Sequence, residues 1–180
     1  MQPRIVDKER ILLLGVSFFG DPFAESGGWT EENEIGRLWD RFFAHAEDTL
    51  AMSTVPGNGP PVLEVHVEGH DAAARGHREV FVGVEIDELD EVPIDMLVKV
   101  LPAATYAVFT LRGEQIRSDW SQMIAEWMVG EGYQYAHPYG FQLYDSRFVG
   151  LDQLASSEID VYIPVIRQEH ASDVAAGGRS

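Results

Sequence analysis

Val62-Leu63-Glu64-Val65-His66-Val67-Glu68 sets Leu63, Val65 and Val67 on one side of an extended chain and Glu64, His66 and Glu68 on the other. That period of two predicts a strand with one buried face, its polar face turned to solvent. Upstream, Pro56-Gly57-Asn58-Gly59-Pro60-Pro61 breaks the chain. Before the break, Ile35, Leu38, Trp39, Phe42 and Ala46 recur at helical spacing and form one apolar stripe. They predict a helix over 30–51, with Thr30 as N-cap and Glu31, Glu32 and Glu34 in the first turn, where acids complement the dipole. Further upstream, 11–19 is apolar enough for a buried strand and ends at Gly20-Asp21-Pro22. Downstream, 69–76 reads as a connection to a strand over 79–87, with Val80, Val82, Val84 and Ile86 on one face. This half therefore reads strand, helix, strand, strand.

Past the acidic connector Glu88-Leu89-Asp90-Glu91-Val92-Pro93 the order returns. Residues 97–101 lead into a β-branched and aromatic strand over 105–111, which Gly113 ends. Ile116, Trp120, Met123, Ile124 and Trp127 predict a second packed helix over 114–129, with Gly130 and Gly132 as terminators. Strands follow over 140–144 and 159–166. The fold class expected is α+β: duplicated β-α-β-β units that share one sheet, with two helices on one face. One domain over 1–167 is expected, with repeats of about 1–90 and 91–167 and a flexible tail over 168–180.

Cysteine is absent, which removes disulfides, thiolate metal sites and cysteine nucleophiles. The start, Met1-Gln2-Pro3-Arg4-Ile5-Val6-Asp7-Lys8, lacks a signal-peptide apolar run, and no later stretch reaches the length of a membrane span. A cytoplasmic protein with no membrane partner is expected. Thirteen Lys and Arg against thirty Asp and Glu give a formal charge of −17. That disfavours a direct grip on nucleic-acid phosphates and favours cationic guests. No cofactor is expected: Gly57-Asn58-Gly59 lacks the lysine and setting of a phosphate loop, and His66, His70 and His77 with Glu64 and Glu68 match no metal-ligand spacing.

Several segments, taken in order, resemble GyrI-like effector-binding domains, the ligand-sensing parts of AraC-type and multidrug-sensing transcription activators. They are Phe81-Val82-Gly83-Val84-Glu85-Ile86, then Leu101-Pro102-Ala103-Ala104-Thr105-Tyr106-Ala107-Val108-Phe109, then Glu126-Trp127 with Gly132-Tyr133, then Phe141-Gln142-Leu143-Tyr144-Asp145, and Ile159-Asp160-Val161-Tyr162-Ile163-Pro164-Val165. The resemblance implies a curved antiparallel sheet with a partly aromatic ligand groove between the halves. No DNA-binding region fits ahead of Ile11, so the ligand-binding part alone is expected. Stand-alone relatives include sensors or sequestering proteins, gyrase modulators and hydrolases of cyclopropane-containing toxins.

The resemblance also implies that a Glu-Trp pair, here Glu126 and Trp127, faces the ligand; without it Glu126 reads as a solvated helix-end acid. Trp39, Tyr106, Phe109, Tyr133, Tyr144 and Tyr162 are candidate aromatic walls, with core packing the competing use of each. Glu85 is a second candidate acid. The function expected is binding of a small hydrophobic or cationic molecule for sensing or sequestration. Hydrolysis with Glu126 as general acid or base is the first alternative, and an acidic surface that engages gyrase or a separate regulator is the second. Monomer and homodimer both remain open.

Overall fold

The structure, a computed structural model, describes residues 1–27, 30–49, 59–69, 76–89 and 92–168, without the side chains of 46–49. The side chain of the expected stripe position Ala46, the helix end at 50–51, His70, the connector residues Asp90 and Glu91 and the tail from 169 lie outside the described residues.

Among the described residues nine strands and two α-helices follow one another: β1 Arg4–Lys8, β2 Ile11–Gly20, α1 Glu34–Thr49, β3 Val62–Val67, β4 Arg78–Glu85, β5 Leu97–Leu101, β6 Ala104–Arg112, α2 Ser121–Glu131, β7 Tyr133–Tyr135, β8 Tyr139–Tyr144 and β9 Glu158–Arg167. The main path of the antiparallel sheet runs β1-β6-β9-β8-β3-β4-β2-β5, with β7 added along the far part of β9. Read from either end, this order is the same if the two halves are exchanged. β3 and β8 form the centre, where Glu64 and Gln142 are direct cross-strand partners.

Only Glu9 and Arg10 separate β1, at one end of that order, from β2, beside the other end; Pro102 and Ala103 link β5 to β6 in the same way. Two residues span at most about 11 Å. The ends of the sheet must therefore approach each other, and the sheet is strongly curved. Each leading strand also pairs with the other half, β1 with β6 and β5 with β2.

Curvature gives the sheet two buried faces. On the outer one, Leu38 and Phe42 of α1 pack on Val16, Val62, Val80 and Val82, and Ile124 and Met128 of α2 pack on Phe109, Val161 and Ile163. The inner face is filled from strands alone: Leu13, Val65, Phe81, Tyr106, Phe141 and Tyr162 meet inside the roll. Each such large apolar side chain contributes about 1.5–3 kcal/mol by leaving water.

The helix ends differ from expectation in informative ways. Asn33, not Thr30, caps α1: its Oδ1 accepts from the Gly36 amide at 2.9 Å, while Thr30 Oγ1 accepts from the Glu32 amide in the preceding turn. The second helix begins later than the expected 114, because Gly113–Arg117 winds as a tight 3-10 turn and Ser118 is extended. Gly132 then ends α2 at φ 70°, the left-handed conformation glycine adopts without a Cβ penalty. Two short strands, β1 and β7, were not expected.

A cleft over the centre of the sheet

The carboxylate of Glu64 is the unusual group in this fold. Strand alternation aims it at the outer face, and the sequence reading sends it to solvent. Yet α1 and α2 flank that face, and Glu64 is only 4% exposed. A buried carboxylate costs several kcal/mol unless it is paired and hydrogen-bonded. Here the indole Nε1 of Trp39 donates to Oε2 at 2.5 Å, the His66 ring Nε2 lies 2.7 Å from Oε1, and the Gln142 amide donates to Oε1 from 3.4 Å. Gln142 is fixed in turn by the Tyr144 hydroxyl, which donates to its Oε1 at 2.9 Å. Each half of the chain supplies part of this network.

Above it opens a cleft of about 740 Å³, within the range of small-molecule sites. Ile35 of α1, Trp120 and Ile124 of α2, and Val161 and Ile163 of β9 supply apolar wall, with Glu64 and His66 among the lining residues. Gly140 lines it too; a Cβ there would lie 3.0 Å from Ile163 Cδ1, so glycine keeps space open beside that wall. Toward the mouth stand Glu68 and Arg78, their charged atoms 3.9 Å apart. Tyr139 also lines the cleft, and its hydroxyl is 2.6 Å from that of Tyr106. Burial, then this contact, pushes the Tyr106 phenol far above its usual range.

The expected site residues are dispersed, and several corrections follow. Glu126 is exposed on the outside of α2, where Gln122 Nε2 donates to it at 2.8 Å. The later start of α2 and the burial of Ile124 and Met128 set a helical phase that turns Glu126 away from the cleft. Glu85 is exposed at the last residue of β4. Tyr106 and Tyr162 point into the roll, on the opposite sheet face from Glu64. Phe109 lies in the core beneath α2, where the Trp127 ring meets it edge-on and Tyr133 stacks on Trp127 at 5.2 Å. Of the aromatic set, Trp39 and Tyr144 belong to the network around the carboxylate, Trp39 by direct contact and Tyr144 through Gln142. Glu64, His66 and Gln142 were missed as a cleft-lining group. Glu64 and Gln142 alternate with apolar neighbours as residues of a solvated strand face do, so nothing local in the sequence marked them. Among the described residues no group of three or more His, Asp or Glu side chains is arranged to hold a metal ion, and no helix is long and apolar enough to cross a membrane.

Residues 4–165 match the family described as Cass2, integron-associated effector binding protein. Among curated proteins the chain is 27% identical over 168 residues to the transcriptional regulator BrlR of Pseudomonas aeruginosa, covering 92% of this chain and 56% of that regulator. The chain thus spans little more than half the length of that relative. Among solved structures it resembles SAV2435 bound to tetraphenylphosphonium, with a TM-score of 0.64 at 15% identity over 92% of this chain and 94% of that one. It also resembles a hydrolase from Listeria innocua, with a TM-score of 0.56 at 12% identity over 92% of each chain. These structural likenesses are likenesses of fold.

Proposed function

The chain belongs to the Cass2 family of integron-associated effector-binding proteins, and from that premise we propose that its effector is a small amphiphilic organic cation held in the cleft above Glu64. One observation carries the reading: a carboxylate buried to 4% exposure among the residues lining an apolar-walled cleft of about 740 Å³. An organic cation entering there meets a carboxyl group in a poorly hydrated setting, where charge-assisted contacts strengthen. Apolar walls take up the rest of the guest, and Trp120 offers it an aromatic surface worth about 0.5–2 kcal/mol. The tetraphenylphosphonium bound by SAV2435, a protein of the same fold, is a guest of this kind.

The test is a fluorescence titration with methyltriphenylphosphonium and with triphenylphosphine oxide, its neutral counterpart, in wild type and Glu64→Gln. Trp39 touches the carboxylate, so its emission reports occupancy. Saturable quenching by the cation, with binding about 10–100-fold weaker in the variant or for the neutral molecule, is the expected result. Equal affinity for both molecules overturns the cationic reading.

A second reading rests on the 2.7 Å contact between Glu64 and His66, an acid-base pair able to activate water. Mass analysis of recovered ligands, extended to strained electrophiles, separates the two. Unchanged ligand supports sensing or sequestration; a gain of one water that disappears in Glu64→Gln identifies a hydrolase.

A further inference from the structure

A second cavity, of about 200 Å³, lies between α1 and the segment after β8. Trp39, Phe43, Tyr144 and Phe148 line it. The Trp39 ring lies 4.9 Å from Tyr144 and 5.6 Å from Phe43, and Tyr144 lies 5.0 Å from Phe148, so the four rings form one continuous aromatic wall. Two of the remaining lining residues, Glu31 and Asp40, are exposed acids, and among the described residues no Lys, Arg or His lines the cavity. The rim is held in place. Asn33 caps the helix at Gly36, and a Cβ on Gly36 would lie 2.5 Å from the Glu31 backbone, so the acidic turn sits directly on the first turn of α1.

We infer that this slot is a second binding site, distinct from the cleft, for a small quaternary or methylated ammonium group. Aromatic rings, in a space with acids at its edge and no cation among its described lining residues, are what such a head recognises. Size selects it as well. A cavity of ~150 Å³ accepts a benzene-sized guest, so this slot takes a trimethylammonium head and excludes the three-ring body of a triarylphosphonium. Trp39 lines the slot and also donates to Glu64, and Ile35 lines both cavities. The two sites share a wall and differ in guest.

Calorimetric titration with choline, and with its neutral isostere 3,3-dimethylbutan-1-ol, tests this in wild type, Glu64→Gln, Phe43→Leu and the double variant Glu31→Gln/Asp40→Asn. The double variant changes exposed residues only, and thermal melts confirm that each protein is folded. Saturable choline binding that persists in Glu64→Gln and weakens at least tenfold in Phe43→Leu and in the double variant is expected, with methyltriphenylphosphonium binding unchanged in the double variant. Absence of saturable choline binding overturns the inference. So does equal binding of the isostere, which would make the slot an apolar void, and so does loss in Glu64→Gln alone, which would put choline in the cleft.

Discussion

Gly15, the fifth residue of β2, pairs with Gly83; Val108, the fifth residue of β6, pairs with Tyr162. Two positions on, Ser17 pairs with Phe81 in the first half and Thr110 with Asp160 in the second. At the centre, Glu64 faces Gln142. The halves therefore share a layout and differ in contents, and the differences are complementary. In the second half the Tyr162 ring stacks on Phe141 at 4.5 Å, where the first half sets a glycine pair that demands almost no volume. The Phe81 ring, under the ammonium of Lys99 at 5.4 Å, occupies the position where the second half carries a buried carboxylate. That carboxylate, Asp160, is held by Arg147 at 2.8 Å, Arg4 at 3.1 Å and Thr110 at 2.6 Å. Duplication supplied a symmetric frame, and one interior can be filled only asymmetrically.

Making the halves alike breaks this arrangement. The largest effect is expected for Gly15→Val, which copies Val108 into the first half. A Cβ there would lie 2.0 Å from the Val82 carbonyl oxygen. Since backbone cannot retreat as a side-chain tip can, a loss of more than about 3 kcal/mol is expected in urea denaturation. Next is the centre. Glu64→Gln makes the cross-strand pair two amides and should cost cation affinity by about 1.5–3 kcal/mol in the phosphonium titration. Adding Gln142→Glu returns an acid to the cleft from the other half. Only partial recovery is expected, because Trp39 follows the first buried anchor of α1 whereas Ala125 follows that of α2, so the equivalent position offers no indole.

The ion cluster gives a smaller effect with a pH signature. Burial works against the charged form of Asp145, but the hydrogen bonds from Arg147 outweigh it and hold the carboxyl below its usual range. A carboxyl depressed by folding stabilises above its unfolded pKa and loses that contribution as pH falls through the folded value. Arg147→Gln should cost about 1–2 kcal/mol at neutral pH, since Arg147 is partly exposed and Arg4 still reaches Asp160. It should also flatten the loss of stability below about pH 4, as read by denaturation at successive pH values. Asn33→Ala should show the least, about 1 kcal/mol in the melt. α2 has no matching side-chain cap to lose.

Much of the frame was legible, because alternation and helical spacing are enforced by burial on at least one side of each element. β2, β3, β6, β8 and β9 fall within one residue of the expected limits, with β4 ending two residues early. β1 and β7 escaped, being short and largely polar, and their pairing depends on strands distant in sequence. The site was much less legible. Glu64 and His66 alternate with valines just as they would on a solvated face, and only the packing of two helices over that face buries them. Glu126 misled for the converse reason: the break at 118–120 resets the helical phase, and no residue pattern near it fixes that phase. Aromatic content pointed toward rings in general, but which face of a curved sheet each ring enters is settled by curvature, itself imposed by two-residue links between the leading and second strands.

Those links also order events during synthesis. β1 is made first, yet its partner β6 emerges about a hundred residues later. At ~5–20 residues per second the N-terminal strand waits roughly 5–20 s for its hydrogen bonds. Its sequence, with Arg4, Asp7 and Lys8 around Ile5 and Val6, suits that interval: charged residues discourage an unpaired strand from joining a neighbouring chain. The first of these strands to be made thus waits for one from the second half, and a nascent chain halted before β6 would carry a first half whose leading strand has nothing of its own to pair with.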